Sequence, residues 1–154
     1  MPTAWARAAI GALRPPVLDD LGLAGALAAL ARALPDVGVV LDLDERRPPE
    51  HVEVALYRIA QEALQNVQKH ARAREVTLRL RSGAEGVRLE VADDGVGFDP
   101  SERSGGYGLA SVRERAELVG GAVRVTSRPG TGTTLMVTAP LDPSSIDEES
   151  ADNT

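Results

Sequence analysis

Cysteine is absent from this 154-residue chain, which removes disulfides, thiolate nucleophiles and cysteine-based metal sites. Aromatic residues make up only 3% against a hydrophobic total of 43%, so any core has to be built from Leu, Val, Ile and Ala. Lysine occurs once, at Lys69, and histidine twice, at His51 and His70; the remaining basic charge is arginine. The net charge of −6 comes with no basic stripe of the kind a nucleic-acid binder needs. No apolar run approaches the roughly 18–20 residues of a membrane span, and Met1-Pro2-Thr3-Ala4-Trp5-Ala6-Arg7 lacks the apolar region of a signal peptide. The expectation is a soluble, cytoplasmic domain with no direct contact with membrane or nucleic acid, long enough for one hydrophobic core.

Proline and glycine punctuate what is there. Pro15-Pro16 stops any helix over residues 4–14, because proline cannot continue the hydrogen-bond ladder. Asp19 or Asp20 can cap a new helix running to about Leu34, with Leu23, Leu27, Leu30 and Leu34 on one face. Val37, Val39, Leu41 and Leu43 alternate as a strand. Pro48-Pro49-Glu50 opens a helix to about Ala71, with proline in the first turn, a carboxylate near the positive end of the dipole, and Val52, Leu56, Ile59, Ala63 and Val67 as its buried stripe. Two alternating runs follow, Val76-x-Leu78-x-Leu80 and Val87-x-Leu89-x-Val91, joined as a hairpin through residues 82–86. Residues 93–107 read as loop. Leu109 to Val119 reads as a helix stopped by Gly120-Gly121, and Val123–Val125 and Leu135–Val137 are the last strands, turning through residues 128–132. From Leu141 onward the acidic, polar composition cannot bury enough to order itself. The order α-β-α-β-β-α-β-β predicts an α+β domain: one mixed, mostly antiparallel sheet of about five strands with three helices on one face.

Three short runs carry the chemistry. Glu62, Asn66 and His70 recur every four residues and share a helix face, with Arg58 one turn before. Such a face is often merely solvated, but Asn is a poor helix former, and its side-chain oxygen suits a hard cation held against triphosphate. Asp93-Asp94-Gly95-Val96-Gly97-Phe98 follows a buried strand. A carboxylate there can accept a hydrogen bond from an exocyclic amine such as adenine's, and Gly95 and Gly97 let the backbone approach a flat base. It is not a calcium loop, since the acidic spacing and terminal Glu are missing; an ordinary Asp-Gly turn is the bland alternative. Gly106-Tyr107-Gly108-Leu109 opens a helix whose free N–H groups and dipole form an anion site. It is neither a Rossmann fingerprint nor a P-loop: Ser111 stands where a third glycine would, and no Gly-Lys-Ser/Thr exists.

Taken in order, the three runs resemble the N, G1 and G2 boxes of the GHKL superfamily, which includes gyrase, heat-shock chaperones, histidine kinases and MutL. Gly130-Thr131-Gly132-Thr133 resembles a further element closing the same pocket. The resemblance covers roughly residues 14–140 and implies a Bergerat-type α/β sandwich binding ATP and Mg²⁺. Within the superfamily, the Leu13-Arg14-Pro15-Pro16-Val17-Leu18-Asp19-Asp20-Leu21-Gly22-Leu23 run is similar to the junction between dimerisation helix and ATPase domain in sensor histidine kinases of the nitrate-sensor type. The Gln61–Ala71 run, Gly108-Leu109, Arg113-Glu114-Arg115 and the short lid between Phe98 and Gly106 point the same way. The resemblance implies that Asn66 ligates Mg²⁺, that Glu62 orients water or the metal shell, and that Lys69 and His70 face the phosphates. It implies that Asp93, helped by Thr133, binds the adenine amine with Gly95 and Gly97 beside the base, and that Gly106, Gly108 and Leu109 shape the lid.

One departure defines the expected activity. The family's phospho-accepting histidine lies on an upstream helix pair, and nothing before Leu13 contains it; His51 begins a helix and reads as a surface residue. The resemblance therefore implies residues 1–14 as the remnant of an upstream dimerisation helix or linker, 15–140 as the ATP-binding domain, and 141–154 as a disordered acidic tail. The implied partners are an upstream dimerisation and histidine-phosphotransfer domain and a helix-turn-helix response regulator, with this domain a monomer by itself. Two rivals are a stand-alone anti-sigma-type switch kinase acting on serine, and a nucleotide-binding module without catalysis.

Overall fold

The computed structural model describes residues 14–99 and 109–141, apart from the Ala71 side chain. Residues 1–13, 100–108 and 142–154 lie outside it, and with them Trp5, Gly106, Gly108 and the acidic tail. Helix α1 spans Pro16–Arg32, β1 Gly38–Leu43, α2 Glu50–Asn66, β2 Glu75–Gly83, β3 Gly86–Asp93, α3 Leu109–Leu118, β4 Ala122–Arg128 and β5 Gly132–Ala139. The strands form one sheet in the order β1-β2-β3-β5-β4. β1 pairs with β2 in parallel, as the intervening helix demands, and every other pairing is antiparallel. The expected mixed sheet under three helices is what forms.

Sheet register shows why one face is covered. Leu43, Leu80, Leu89, Val137 and Val123 lie side by side across the five strands, and so do Leu41, Leu78, Val91, Leu135 and Val125. Leu78, Leu80, Leu89 and Val137 are fully buried. A third row, Val39, Val76, Asp93, Thr133 and Ser127, has the same parity and so faces the same side. Its first two members are apolar and its last three are polar. The opposite face is charged: Arg79 meets Glu90 at 3.6 Å and Arg81 pairs with Asp42. That alternation leaves one sheet face for the helices and one for water.

The central helix α2 carries the interior. Val52, Leu56, Ile59, Ala60, Ala63 and Leu64 are buried, as the predicted stripe requires. α1 and α3 both pack on it. Two features of the helices differ from expectation. α1 begins at Pro16, with Pro15 as its N-cap, rather than at Asp19 or Asp20, because proline's fixed φ suits a first turn; Asp19 instead accepts a hydrogen bond from Arg14 at 2.9 Å. α1 also breaks at Gly22, whose φ of 72° is not helical. Leu23 and Leu27 are buried as expected, whereas Leu30 and Leu34 are only partly covered. Among the described residues no helix is long and apolar enough to cross a membrane.

A buried carboxylate, Glu53, sits on the inner side of α2 with 1% exposure. Arg47 reaches it at 2.8 Å and Arg14 at 3.3 Å, and Arg47 also donates to the Leu18 carbonyl at 2.8 Å. This cluster ties the start of α1 and the β1–α2 connection to α2.

Candidate functional site

α2 does not stop at Asn66. It widens into a π-helical turn over Val67–Ala71, ended by Arg72 in the left-handed region. Single π turns inside α-helices recur at functional sites, and here the turn carries Lys69 and His70. Opposite it, β3 runs out at Asp93, and α3 begins at Leu109. A cavity lies between the π turn, the ends of β3, β4 and β5, and the start of α3. Val67, Val91, Leu109, Val112 and Leu135 supply apolar wall, and Asn66, His70, Asp93 and Thr133 supply the polar groups.

Asp93 stands at the polar end of that wall. Its Oδ1 accepts the Gly95 N–H at 2.8 Å. Burial pushes the Asp93 carboxyl above its ordinary value; the amides of Gly95 and Thr133 oppose the rise without cancelling it, and the charge of Asp94 adds to it. A half-buried acceptor with spare lone pairs, beside flat apolar surface, suits the amine edge of a base. Asp94, its neighbour, has a structural task. Its Oδ1 accepts the N–H groups of Arg74 at 2.9 Å and Glu75 at 3.0 Å, pinning the start of β2. The Glu75 amide and then the Arg74 amide hold its carboxyl below the ordinary range.

Two glycines are set by close approach. Gly97 has φ +67°, and a Cβ there would lie 2.0 Å from the Arg128 carbonyl oxygen; Gly132 has φ +89°, and its Cβ would lie 2.1 Å from the Asp93 carbonyl oxygen. The need for glycine at 97 thus comes from the β4–β5 turn folded against the loop, which the Gly130 N–H seals by donating to the Val96 oxygen at 2.6 Å. Ser127, 6% exposed, fastens the same junction from behind. Its Oγ accepts the Phe98 N–H at 2.9 Å, lies 3.1 Å from the Gly132 oxygen and 2.7 Å from Thr133 Oγ1.

The structure brings Asn66, His70, Asp93, Gly97, Leu109 and Thr133 to one cavity. Gly95 is buried beneath it, serving Asp93. Glu62 does not line it: one turn earlier on α2, it faces the groove beside Ser111 and Arg115, with Arg115 Nε at 4.0 Å. Lys69 is exposed and not on the cavity wall, and His51 is exposed. Gly106 and Gly108 lie outside the described residues. Sequence reasoning missed Ser127 and Phe98 as site residues. The signal for Ser127 was present, since it continues the inward alternation of Val123 and Val125.

The donor set limits how a divalent cation could be held. Among the described residues no group of three or more His, Asp or Glu side chains converges as a metal cage. Asn66 is a wall residue that could offer one oxygen ligand to Mg²⁺, with phosphate and water completing the shell.

One mixed sheet with helices on one face, and between them an apolar-walled cavity ending in a half-buried carboxylate, define an ATP-binding sandwich domain. Residues 51–143 match the family described as histidine kinase-, DNA gyrase B- and HSP90-like ATPases, and the chain belongs to it. The chain is 36% identical over 135 residues to the signal transduction histidine-protein kinase/phosphatase DegS of Brevibacillus brevis, covering 84% of this chain and 35% of the relative. It is 40% identical over 131 residues to UhpB of Salmonella typhimurium, a protein of the same description, covering 81% of this chain and 26% of the relative. The chain thus spans about a third or less of those curated relatives. Among solved structures, the histidine kinase domain of a blue-light activated histidine kinase from Erythrobacter litoralis superposes with a TM-score of 0.68 at 25% identity, over 84% of this chain and 70% of that one.

Proposed function

We propose that this chain is the nucleotide-binding, phosphoryl-donating domain of a two-component sensor histidine kinase. It binds Mg-ATP and presents the γ-phosphate to a histidine on a separate dimerisation domain, with a helix-turn-helix response regulator as the downstream acceptor. The observation that carries the reading is the pair Asp93–Thr133 at the polar end of an apolar cavity that Asn66 and His70 also line. Asp93 accepts the adenine amine, the apolar walls cover the faces of the base, and Asn66 stands where a Mg²⁺ between it and the phosphates would neutralise charge. Lys69 and Glu62 are assigned to the phosphate and metal periphery. Phosphoryl transfer asks a protein mainly for positioning and charge neutralisation, and the acceptor imidazole comes from the other domain. The domain acts in the cytoplasm and is a monomer when separated from its dimerising partner.

The test is phosphotransfer. γ-Labelled ATP, this chain and a separately supplied domain carrying an acceptor histidine should give label that is acid-labile and base-stable, the signature of phosphohistidine. Label with the opposite stability would place the acceptor on serine and favour a switch kinase. Tight nucleotide binding with no transfer would favour a module without catalysis.

A further inference from the structure

Ser127 does not touch the cavity, yet its hydroxyl controls a group that does. Three polar atoms surround its oxygen: the Phe98 N–H at 2.9 Å, the Gly132 carbonyl oxygen at 3.1 Å and Thr133 Oγ1 at 2.7 Å. A hydroxyl has one proton to give and two lone pairs to receive. Phe98 N–H can only donate, and the Gly132 carbonyl can only accept. One arrangement therefore satisfies all three contacts at once. Phe98 N–H and the Thr133 hydroxyl both donate to Ser127 Oγ, and Ser127 donates to Gly132. The alternative, in which Ser127 donates to Thr133, leaves the Gly132 oxygen without that bond beside a buried hydroxyl, an unfavourable trade.

In the favoured arrangement the proton of Thr133 is turned away from the cavity, and Thr133 offers it lone pairs only. Asp93, its direct neighbour across β3 and β5, is likewise an acceptor. We propose that Ser127 is a specificity-determining positioning residue: by holding the proton of Thr133, it makes the polar end of the cavity acceptor-only, selecting a purine that presents an amine over one that presents a carbonyl. The proposal rests on the adenine-nucleotide reading above and adds that a 6-oxopurine is disfavoured. With Ser127 in place, a carbonyl at that edge meets two sets of lone pairs. Without it, the Thr133 hydroxyl is free to rotate and donate.

The experiment is calorimetric titration with ATP and with inosine triphosphate, which carries an oxygen where ATP carries the amine. It is run on the wild type, Ser127→Ala, Thr133→Val and the double variant. The wild type is expected to prefer ATP, and Ser127→Ala to lower the ATP-to-inosine ratio by about five- to tenfold, the order of one hydrogen bond. In the Thr133→Val background the Ser127 change should leave the ratio unmoved, because no hydroxyl remains to turn. If Ser127 is only a brace, both affinities fall together, the ratio stays at its wild-type value, and the proposal is overturned. Should the alanine variant not fold, Ser127→Cys keeps the volume with a weak donor and must shift the ratio in the same direction. A wild type that binds neither nucleotide overturns the nucleotide reading itself, an outcome distinct from an unchanged ratio.

Discussion

Gly130 and Gly132 stand two residues apart at the β4–β5 turn, with φ of +85° and +89°. An alanine at either position must enter the left-handed region, at a cost of about 1–2 kcal/mol. Their surroundings differ. A Cβ on Gly130 meets nothing within 4 Å, whereas one on Gly132 would lie 2.1 Å from the Asp93 oxygen and 3.0 Å from its carbonyl carbon. That obstacle is backbone in a paired strand, so it cannot rotate aside as a side chain would. Forcing the two apart adds an overpacking cost of about 1–3 kcal/mol, in its upper half for so short an approach. Gly130→Ala should therefore lose about 1 kcal/mol and Gly132→Ala roughly 4 kcal/mol. Urea unfolding followed by circular dichroism reads the difference. With a slope of about 2 kcal/mol per molar, the midpoint falls by about 0.5 M in the first variant and about 2 M in the second. Nucleotide affinity should follow, near wild type for Gly130→Ala and weakened for Gly132→Ala even where it is folded, because Asp93 is displaced. Equal midpoint shifts would refute a turn packed against Asp93.

Two further perturbations probe the carboxylates. Asp93→Asn should abolish ATP binding, since it can aim a donor at the adenine amine; unchanged affinity by calorimetry would overturn the assignment. It should also stabilise the apo domain at neutral pH. Burial raises the Asp93 pKa, so the folded state holds the proton more tightly than the unfolded one, and stability is lost as pH rises from the ordinary carboxylate value through the raised one. The asparagine variant escapes that loss, and its advantage over wild type should close on acidification; an advantage constant with pH would contradict this. Glu53→Ala removes the buried carboxylate that Arg14 and Arg47 share. Arg14 keeps Asp19 at 2.9 Å and Glu50 at 3.2 Å, and Arg47 keeps the Leu18 carbonyl and is 50% exposed, so other partners and water recover part of the loss. A fall of about 2 kcal/mol in urea unfolding is expected, and a change below about 0.5 kcal/mol would show that the remaining partners and water fully replace Glu53.

Local periodicity explains what was legible in the chain. The alternation Val87, Leu89, Val91 by itself points Asp93 inward, because side chains two apart on a strand share a face. The apolar stripe of α2 likewise puts its buried side on the sheet. The four-residue repeat of Glu62, Asn66 and His70 was true of the helix but too broad for the site. It groups side chains on one helix and knows nothing of α3, which crosses where Glu62 lies and leaves only Asn66 and His70 on the cavity. The π turn was also hidden, because a switch from i→i+4 to i→i+5 bonding has no residue signature comparable to a cap. Ser127 and Glu53 were missed for a common reason. Each is a polar residue made tolerable inside by partners distant in sequence, Phe98 for one and Arg14 for the other, and such partners appear only once the chain has folded. Gly97 stands out in the sequence as room for a flat base, whereas the close neighbour the fold gives it is the Arg128 carbonyl, at a φ of +67°.

The proposed function requires the cavity to hold an adenine nucleotide whose phosphates are reached by a cation at Asn66. The direct measurement is a calorimetric ATP titration with and without Mg²⁺, on the wild type and on Asn66→Ala. Binding should strengthen with Mg²⁺ in the wild type and lose most of that metal dependence in the variant, while retaining the adenine contribution from Asp93. Wild-type protein that takes up no ATP under either condition, or an Asn66→Ala variant with undiminished Mg²⁺ dependence, would contradict it.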